Sequence, residues 1–234
     1  WENGPKPEIQ LQLMRDGVSY GDPVTLKSGT TEYVWTDLDR TDRAGNEYVY
    51  TVQEVDVPEN YEITISDDGL TITNTYVIPK IDITGTKVWV DGPSVRPDIQ
   101  LQLYRDGEVY GDPVTLTNGV TEHIWEALDR TDIDGNEYVY TVEEVDVPEN
   151  YHMILSDDGL TVTSVYVIPT TNLTANKLWE NGPTARPDIQ LQLFRQRSID
   201  TEPVAFGSPV TLTDGETEYT WDDMASTDIN GRVY

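Results

Sequence analysis

The chain of 234 residues carries 43 acidic and 15 basic side chains, which gives a formal net charge of −28. This excess of carboxylates argues against binding to nucleic acid or to an anionic membrane surface, because both depend on Lys and Arg. The sequence contains no cysteine, so disulfides and thiolate metal sites are excluded. No apolar run approaches the ~20 residues that a membrane-spanning helix needs.

The chain contains nearly three copies of one sequence repeat. Ile9–Leu13 recurs at Ile99–Leu103 and again at Ile189–Leu193. A period this long predicts separate domains, each with its own core, rather than the units of a solenoid. The predicted domains are repeat 1 (1–79, with its first strand missing at the N-terminus), repeat 2 (80–169, complete) and repeat 3 (170–234, with an insertion at 196–206 and truncated at the C-terminus).

The predicted elements of repeat 2 are short strands. Ile99, Leu101 and Leu103 alternate with glutamines, and this period of two is typical of a half-buried strand. The predicted strands are 81–89, 99–103, 114–116, 121–125, 137–145, 151–155 and 160–167, with turns at 105–107, 117–119, 134–136 and 157–159. A short helical turn is predicted near 126–129. About seven short strands indicate an all-β, immunoglobulin-like β-sandwich.

The residues that usually build catalytic sites are scarce. The two histidines, His123 and His152, stand where repeat 1 has Tyr33 and Glu62. A histidine-dependent triad or metal site is therefore not expected. The sequence also lacks nucleotide-binding and nucleophile-elbow motifs. We predict neither an enzyme nor a cofactor.

An Asp-rich segment has a superficial likeness to a calcium loop. Asp132–Asn136, together with Glu143, offers several carboxylates, but its glycine stands at the fourth position rather than the sixth. In repeat 1, Ala44 replaces the middle carboxylate. We favour a solvated hairpin turn over a metal site, since Asp, Gly and Asn are the residues that such turns require.

Three polar residue types occupy positions whose strand parity points inward. Lys87 shares parity with Trp89, Glu54 with Val52, and Asn74 with Tyr76. Burying these groups is costly unless they satisfy one another. We therefore expect the lysine, glutamate and asparagine positions of a repeat to meet in its core.

These motifs closely resemble those of the Cna B-type domain, a repeat of Gram-positive surface proteins. The resemblance covers all three repeats and rests on several segments that occur in the same order as in the family. Five of them are quoted from repeat 2: Lys87–Trp89, Arg96–Leu103, Gly111–Leu116, Asp132–Tyr138 and Tyr140–Val145. The closing segment is quoted from repeat 1, where it is Thr71–Tyr76. In that family a first-strand lysine and a last-strand asparagine form an isopeptide bond with the help of a buried glutamate. A buried amine that loses its charge, and a carboxyl that keeps its proton, suit that chemistry.

Carried over to this sequence, the resemblance leaves each repeat without a full set. Repeat 1 has the acid Glu54 and the asparagine Asn74, but its lysine position falls before Trp1. In repeat 2, Lys87 and the acid Glu144 are present, while Ser164 stands at the asparagine position. Lys177 of repeat 3 lies in a sequence that ends before the other two positions. Serine has no carboxamide carbon, so we expect a buried Lys87–Glu144 ion pair and no bond in repeat 2.

The resemblance implies a structural role. We expect a stalk segment of a secreted, cell-wall-anchored bacterial adhesin, which projects a ligand-binding region and resists mechanical load. Neighbouring repeats are the expected partners, and host extracellular matrix would be bound through other regions. The alternatives are a module that itself binds a host protein or glycan, through one face or the insertion at 196–206, and a pilin segment.

Overall fold

The fold is built from strands. The computed structural model describes residues 1–117 and 119–234, and this part of the chain contains no helix. The prediction of an all-β fold is therefore confirmed, while the turn predicted at Asn118 lies outside the described residues. None of the described elements is a helix long and apolar enough to cross a membrane.

Seventeen strands occur in the described residues. They are β1 (Ile9–Arg15), β2 (Val18–Ser19), β3 (Val24–Leu26), β4 (Tyr50–Glu54), β5 (Tyr61–Ile65), β6 (Ile72–Tyr76), β7 (Lys80–Val90), β8 (Ile99–Arg105), β9 (Glu108–Leu116), β10 (Glu122–Asp129), β11 (Tyr140–Glu144), β12 (Tyr151–Leu155), β13 (Thr161–Tyr166), β14 (Thr170–Asn176), β15 (Ile189–Arg195), β16 (Val204–Leu212) and β17 (Glu218–Ala225).

Repeat 2 contains two sheets. One has the strand order β10-β7-β13-β12, and the other has the order β11-β8-β9. Strands β7 and β13 are parallel, with Lys87 opposite Val162 and Trp89 opposite Ser164. The most deeply buried apolar side chains come from both sheets and form the core: Leu101, Leu103, Val142 and Val162.

Repeats 1 and 3 contain parts of the same arrangement. In repeat 1, β1 pairs with β2, β3 and β4, and β5 pairs with β6. In repeat 3, β14 pairs with β17, and β15 pairs with β16. The register of β4 on β1 places Glu54 opposite Leu11, just as β11 on β8 places Glu144 opposite Leu101. Identical sequence patterns thus give identical registers, because the buried face fixes the pairing.

Contacts divide the chain into two compact units. The first comprises Trp1–Ile83 and Trp125–Val139, and the second comprises Thr84–Ile124 and Tyr140–Tyr234. Residues 125–139 therefore pack with repeat 1, although they belong to repeat 2 in the sequence. The division into three repeat domains stays a prediction.

The helical turn predicted near 126–129 is wrong, because β10 continues to Asp129. Ala127 has a φ of +53°, and its N–H donates a hydrogen bond of 2.8 Å to Asp82 Oδ1. The same left-handed residue recurs at Asp37 and Asp223. A single left-handed residue inside a strand is typical of a β-bulge, and the helix-favouring side chains around Ala127 conceal it in the sequence.

Candidate functional site

A buried polar cluster lies in the core of repeat 2. Strands β7, β11 and β13 supply Lys87, Glu144 and Ser164, whose exposed fractions are 1%, 5% and 0%. Their burial follows from the alternation of each strand, since they share parity with apolar core residues. The structure therefore brings together the three positions that the sequence predicted to meet.

Lys87 is held by three kinds of contact. Its Nζ lies 3.8 Å from Glu144 Oε2 and donates a hydrogen bond of 3.0 Å to the carbonyl oxygen of Val88. The ammonium also lies 3.8 Å from the centroid of the Trp89 ring, within the range of a cation–π interaction. Burial lowers the pKa of Lys87 to about 8, and Glu144 opposes that change. At pH 7 about a tenth of this amine is therefore neutral, and that fraction has the lone pair that a nucleophile needs.

Glu144 has one satisfied and one unsatisfied oxygen. Ser164 Oγ donates a hydrogen bond of 2.8 Å to Glu144 Oε2. Glu144 Oε1 is buried and has no hydrogen-bond partner among the described residues. Leaving a carboxylate oxygen buried without a donor costs free energy. The cluster of repeat 2 is therefore connected only in part.

Repeat 1 presents the matching pair with a carboxamide. Glu54 and Asn74 are each 3% exposed, and Asn74 Nδ2 donates hydrogen bonds of 3.2 and 3.0 Å to Glu54 Oε1 and Oε2. Burial raises the pKa of Glu54, and the hydrogen bond from Asn74 opposes this. Asn74, Trp1 and Trp35 are among the residues that line a cavity of about 330 Å³.

Lys177 of repeat 3 repeats the surroundings of Lys87 in part. Its Nζ donates a hydrogen bond of 2.6 Å to the carbonyl oxygen of Leu178 and lies 4.2 Å from the centroid of the Trp179 ring. These contacts with the ring and the carbonyl were not predicted from the sequence. The Lys-x-Trp spacing shared by Lys87–Trp89 and Lys177–Trp179 was the signal that could have revealed them, because alternate residues of a strand face the same side.

The Asp-rich turn is a closed hairpin. Asp132 Oδ1 accepts hydrogen bonds of 2.9 Å from the N–H of Asp134 and 2.8 Å from the N–H of Asn136. These bonds and the one from the Asn136 side chain lower the pKa of Asp132. In the described part of the chain, no group of three or more His, Cys, Asp or Glu residues is arranged to hold a metal ion.

Comparison with known proteins identifies the family. The model of the Cna protein B-type domain matches residues 2–75 and 83–165. The chain belongs to this family of adhesin repeats.

The similar proteins include a collagen adhesin of Staphylococcus aureus. The collagen adhesin of Staphylococcus aureus is 30% identical in an alignment 233 residues long, which covers 94% of this chain and 18% of that protein. The chain thus spans less than a fifth of this relative. The crystal structure of two B repeat units (B1B2) of the collagen-binding protein of S. aureus is 24% identical, with a TM-score of 0.40, over 97% of this chain and 61% of that one. A single B repeat unit (B1) is 30% identical, with a TM-score of 0.34, over 68% of this chain and 87% of that one.

Proposed function

We propose that this chain is a stalk segment of a cell-wall-anchored surface adhesin, which holds a ligand-binding region away from the cell and resists tension. The family and the similarity to a collagen adhesin support this role. Collagen or another matrix protein would be bound by a different region of the whole protein. The observation that carries the proposal is the buried cluster that links the first and last strands of repeat 2.

The pairing of β7 and β13 suits a segment under tension. These strands are parallel neighbours, and they are the first and last strands of repeat 2. Pulling the two ends of the repeat apart therefore slides one strand along the other. In this geometry the ladder of hydrogen bonds between them is loaded all at once rather than one bond at a time. Lys87 and Ser164 lie on these two strands, so a covalent link there would carry the tension directly.

The chemistry we propose for a complete set is a self-modification without turnover. The neutral lysine Nζ attacks the Cγ of the asparagine carboxamide, and the glutamic acid donates a hydrogen bond to the amide oxygen. The new Nζ–Cγ amide bond forms as the Cγ–Nδ2 bond breaks. The departing nitrogen takes up the one proton that the neutral lysine loses and leaves as ammonia, with the glutamate as the relay.

The three repeats differ in their capacity for this step. Repeat 2 has the amine and the acid, but Ser164 offers no carboxamide. Repeat 1 has the acid and the carboxamide, already hydrogen bonded through Asn74 Nδ2. Glu54 has a raised pKa because of its burial, which favours the protonated form that can polarise the amide oxygen. Repeat 1 thus needs only a lysine on a strand that enters its cavity.

A chain extended at its N-terminus tests this proposal. A copy of residues 170–178 joined before Trp1 places Lys177 of the copy two residues ahead of a tryptophan, as it stands in repeat 3. We expect the intact mass of the extended chain to be lower than its sequence mass by one ammonia. The matched control carries Lys177→Met in the copy and should lose nothing.

A second control separates the acid from the electrophile. Glu54→Gln in the extended chain should slow or abolish the loss of ammonia, and Asn74→Ser should abolish it. A folded extended chain of full mass after prolonged incubation would contradict the proposed role of Glu54 and Asn74.

A further inference from the structure

The hairpin that follows the left-handed residues Asp37, Ala127 and Asp223 has the same internal structure in all three repeats. We call it the joint hairpin, and it comprises residues 41–47, 131–137 and 227–233. In each copy the first and last residues pair as a single β-bridge outside the named strands. Asp42, Asp132 and Asp228 each accept two backbone N–H hydrogen bonds through Oδ1. These bonds contribute to the lowered pKa of each aspartate. The hairpin therefore closes on itself and does not need a partner to form.

The first compact unit shows what one joint hairpin binds. Thr131 Oγ1 and the hydroxyl of Tyr76 are hydrogen bonded at 2.9 Å, and Thr131 is 5% exposed. The N–H of Gly4 donates a hydrogen bond of 2.9 Å to the carbonyl oxygen of Ile133. Gly135 lies against Pro5 so closely that an added Cβ would lie 2.5 Å from Pro5 Cδ. The hairpin of repeat 2 is thus seated on repeat 1.

The second compact unit repeats these contacts. Thr227 Oγ1 and the hydroxyl of Tyr166 are hydrogen bonded at 3.0 Å, and Thr227 is 8% exposed. The N–H of Gly92 donates a hydrogen bond of 2.8 Å to the carbonyl oxygen of Ile229. A Cβ added to Gly231 would lie 2.5 Å from Cγ of Pro93. Two independent copies of one contact set indicate a built interface rather than an accident of packing.

The surface that receives the hairpin, here called the Gly-Pro socket, consists of a glycine, the following proline and a last-strand tyrosine. In repeat 2 it is Gly92, Pro93 and Tyr166, and Trp89 and Tyr151 stack beneath it. A Cβ on Gly92 would lie 2.3 Å from the hydroxyl of Tyr151, so glycine is required for this close approach. Repeat 1 has the equivalent socket in Gly4, Pro5 and Tyr76, over Trp1 and Tyr61.

The joint hairpin of repeat 1 presents the same groups in an exposed state. Thr41 and Gly45 are exposed, and a Cβ on Gly45 would meet nothing within 4 Å. Gly45 has a φ of +90°, close to the +88° of Gly135 and the +72° of Gly231. Arg43 replaces the isoleucine of the other two copies, but the hydrogen bond from the socket glycine is accepted by the backbone carbonyl oxygen at that position.

We propose that the hairpin 41–47 is a docking surface for the Gly-Pro socket of another repeat of this kind. Thr41 would pair with the last-strand tyrosine of that repeat, the carbonyl oxygen of Arg43 would accept from its socket glycine, and Gly45 would lie against its proline. The partner is thus a Cna B-type repeat that carries both Gly-Pro and a last-strand tyrosine. This joint depends on no covalent bond.

Matched glycine substitutions in the full chain test the joint itself. Gly135→Ala and Gly45→Ala introduce the same left-handed strain, but only the first meets a proline. We expect Gly135→Ala to speed amide exchange of Gly4 by about 30-fold, since two hydrogen bonds each contribute roughly five- to sixfold. Gly231→Ala should do the same for Gly92. Gly45→Ala should leave both amides unchanged, and equal effects of all three substitutions would overturn the proposal.

An extended chain tests the exposed hairpin. A copy of residues 80–178 joined before Trp1 supplies a complete socket, and Lys177→Met in the copy removes any crosslink to repeat 1. The Gly92 amide of the copy should exchange as slowly as Gly92 of the parent, and Gly45→Ala should now speed it by about 30-fold. Fast exchange of that amide beside protected strands in the copy, or no response to Gly45→Ala, would refute the docking surface. If the copy does not fold, the two glycine substitutions in the parent decide the matter. Equal effects of Gly45→Ala and Gly135→Ala there would refute the docking surface.

Discussion

Replacing Ser164 with Asn should convert the ion pair of repeat 2 into a covalent link. Repeat 1 supplies the template, since Asn74 occupies the equivalent place and its Nδ2 lies 3.2 and 3.0 Å from the two carboxylate oxygens of Glu54. In repeat 2, Lys87 Nζ already lies 3.8 Å from Glu144 Oε2. That same oxygen is 2.8 Å from Ser164 Oγ. An asparagine side chain in this place would bring its Cγ to the lysine.

The expected stabilisation follows from the length of chain that the bond would close. Lys87 and position 164 are 77 positions apart in the sequence. By analogy with a disulfide that closes a loop of this length, the loss of freedom in the unfolded chain raises the free energy of unfolding by about 4.5 kcal/mol. The larger side chain at a fully buried site opposes this by about 1–3 kcal/mol. We therefore expect a net gain of roughly 1.5–3.5 kcal/mol for repeat 2.

Intact-mass measurement and denaturant unfolding of the full chain are the assays. The parent should have its full sequence mass, and Ser164→Asn should lack one ammonia. The double variant Ser164→Asn with Lys87→Met should regain the full mass and unfold more easily than the parent, because it keeps the extra bulk without the bond. Glu144→Gln in the Ser164→Asn background should slow the loss. A crosslinked parent, or a folded Ser164→Asn chain of full mass, would refute the reasoning.

Three further predictions concern charge in the core and at the turns. Because the pKa of Lys87 falls from 10.5 to about 8 on folding, the unfolded chain binds more protons between these values. The free energy of unfolding of the parent should therefore rise by about 3 kcal/mol between about pH 8 and pH 10.5, relative to that of Lys87→Met. Parallel pH profiles for the two chains would count against a lowered pKa of Lys87. Because burial raises the pKa of Glu54, the gain in stability from Glu54→Gln should be larger at pH 7 than at pH 4, and an equal gain at both would argue against that shift. Thermal unfolding with chelator and with millimolar calcium should nearly coincide, since the Asp132 carboxylate is already bonded to its own turn; a saturable shift with calcium would contradict this.

Strand alternation predicted which side chains of the candidate site are buried. The parity of Lys87 with Trp89 and of Glu54 with Val52 placed both charged groups in the core, and each is at most 3% exposed. Parity could not predict the distances within the cluster, because these depend on how the two sheets pack. It also could not predict the unsatisfied Oε1 of Glu144, which depends on the donors that neighbouring strands happen to supply.

Two structural features could not be predicted from one repeat considered alone. The helical turn expected near 126–129 rested on local propensity, and pairing within the sheet overrides it at Ala127. The joint hairpin was predicted as a solvent-facing turn, which describes residues 41–47 well. Thr131 and Thr227 are buried only because another repeat covers them. The amino-acid sequence of the hairpin alone cannot predict that coverage.

Pulling the full chain by its two ends tests most directly whether linked first and last strands carry the tension. In the parent, unfolding of repeat 2 should release the whole repeat. In Ser164→Asn chains selected for the loss of one ammonia, the 76 residues between Lys87 and position 164 should stay closed. This loop should withhold about 270 Å of extension, at ~3.5 Å per residue. Full extension of chains that carry the mass loss would contradict the account, because the bond would then lie elsewhere.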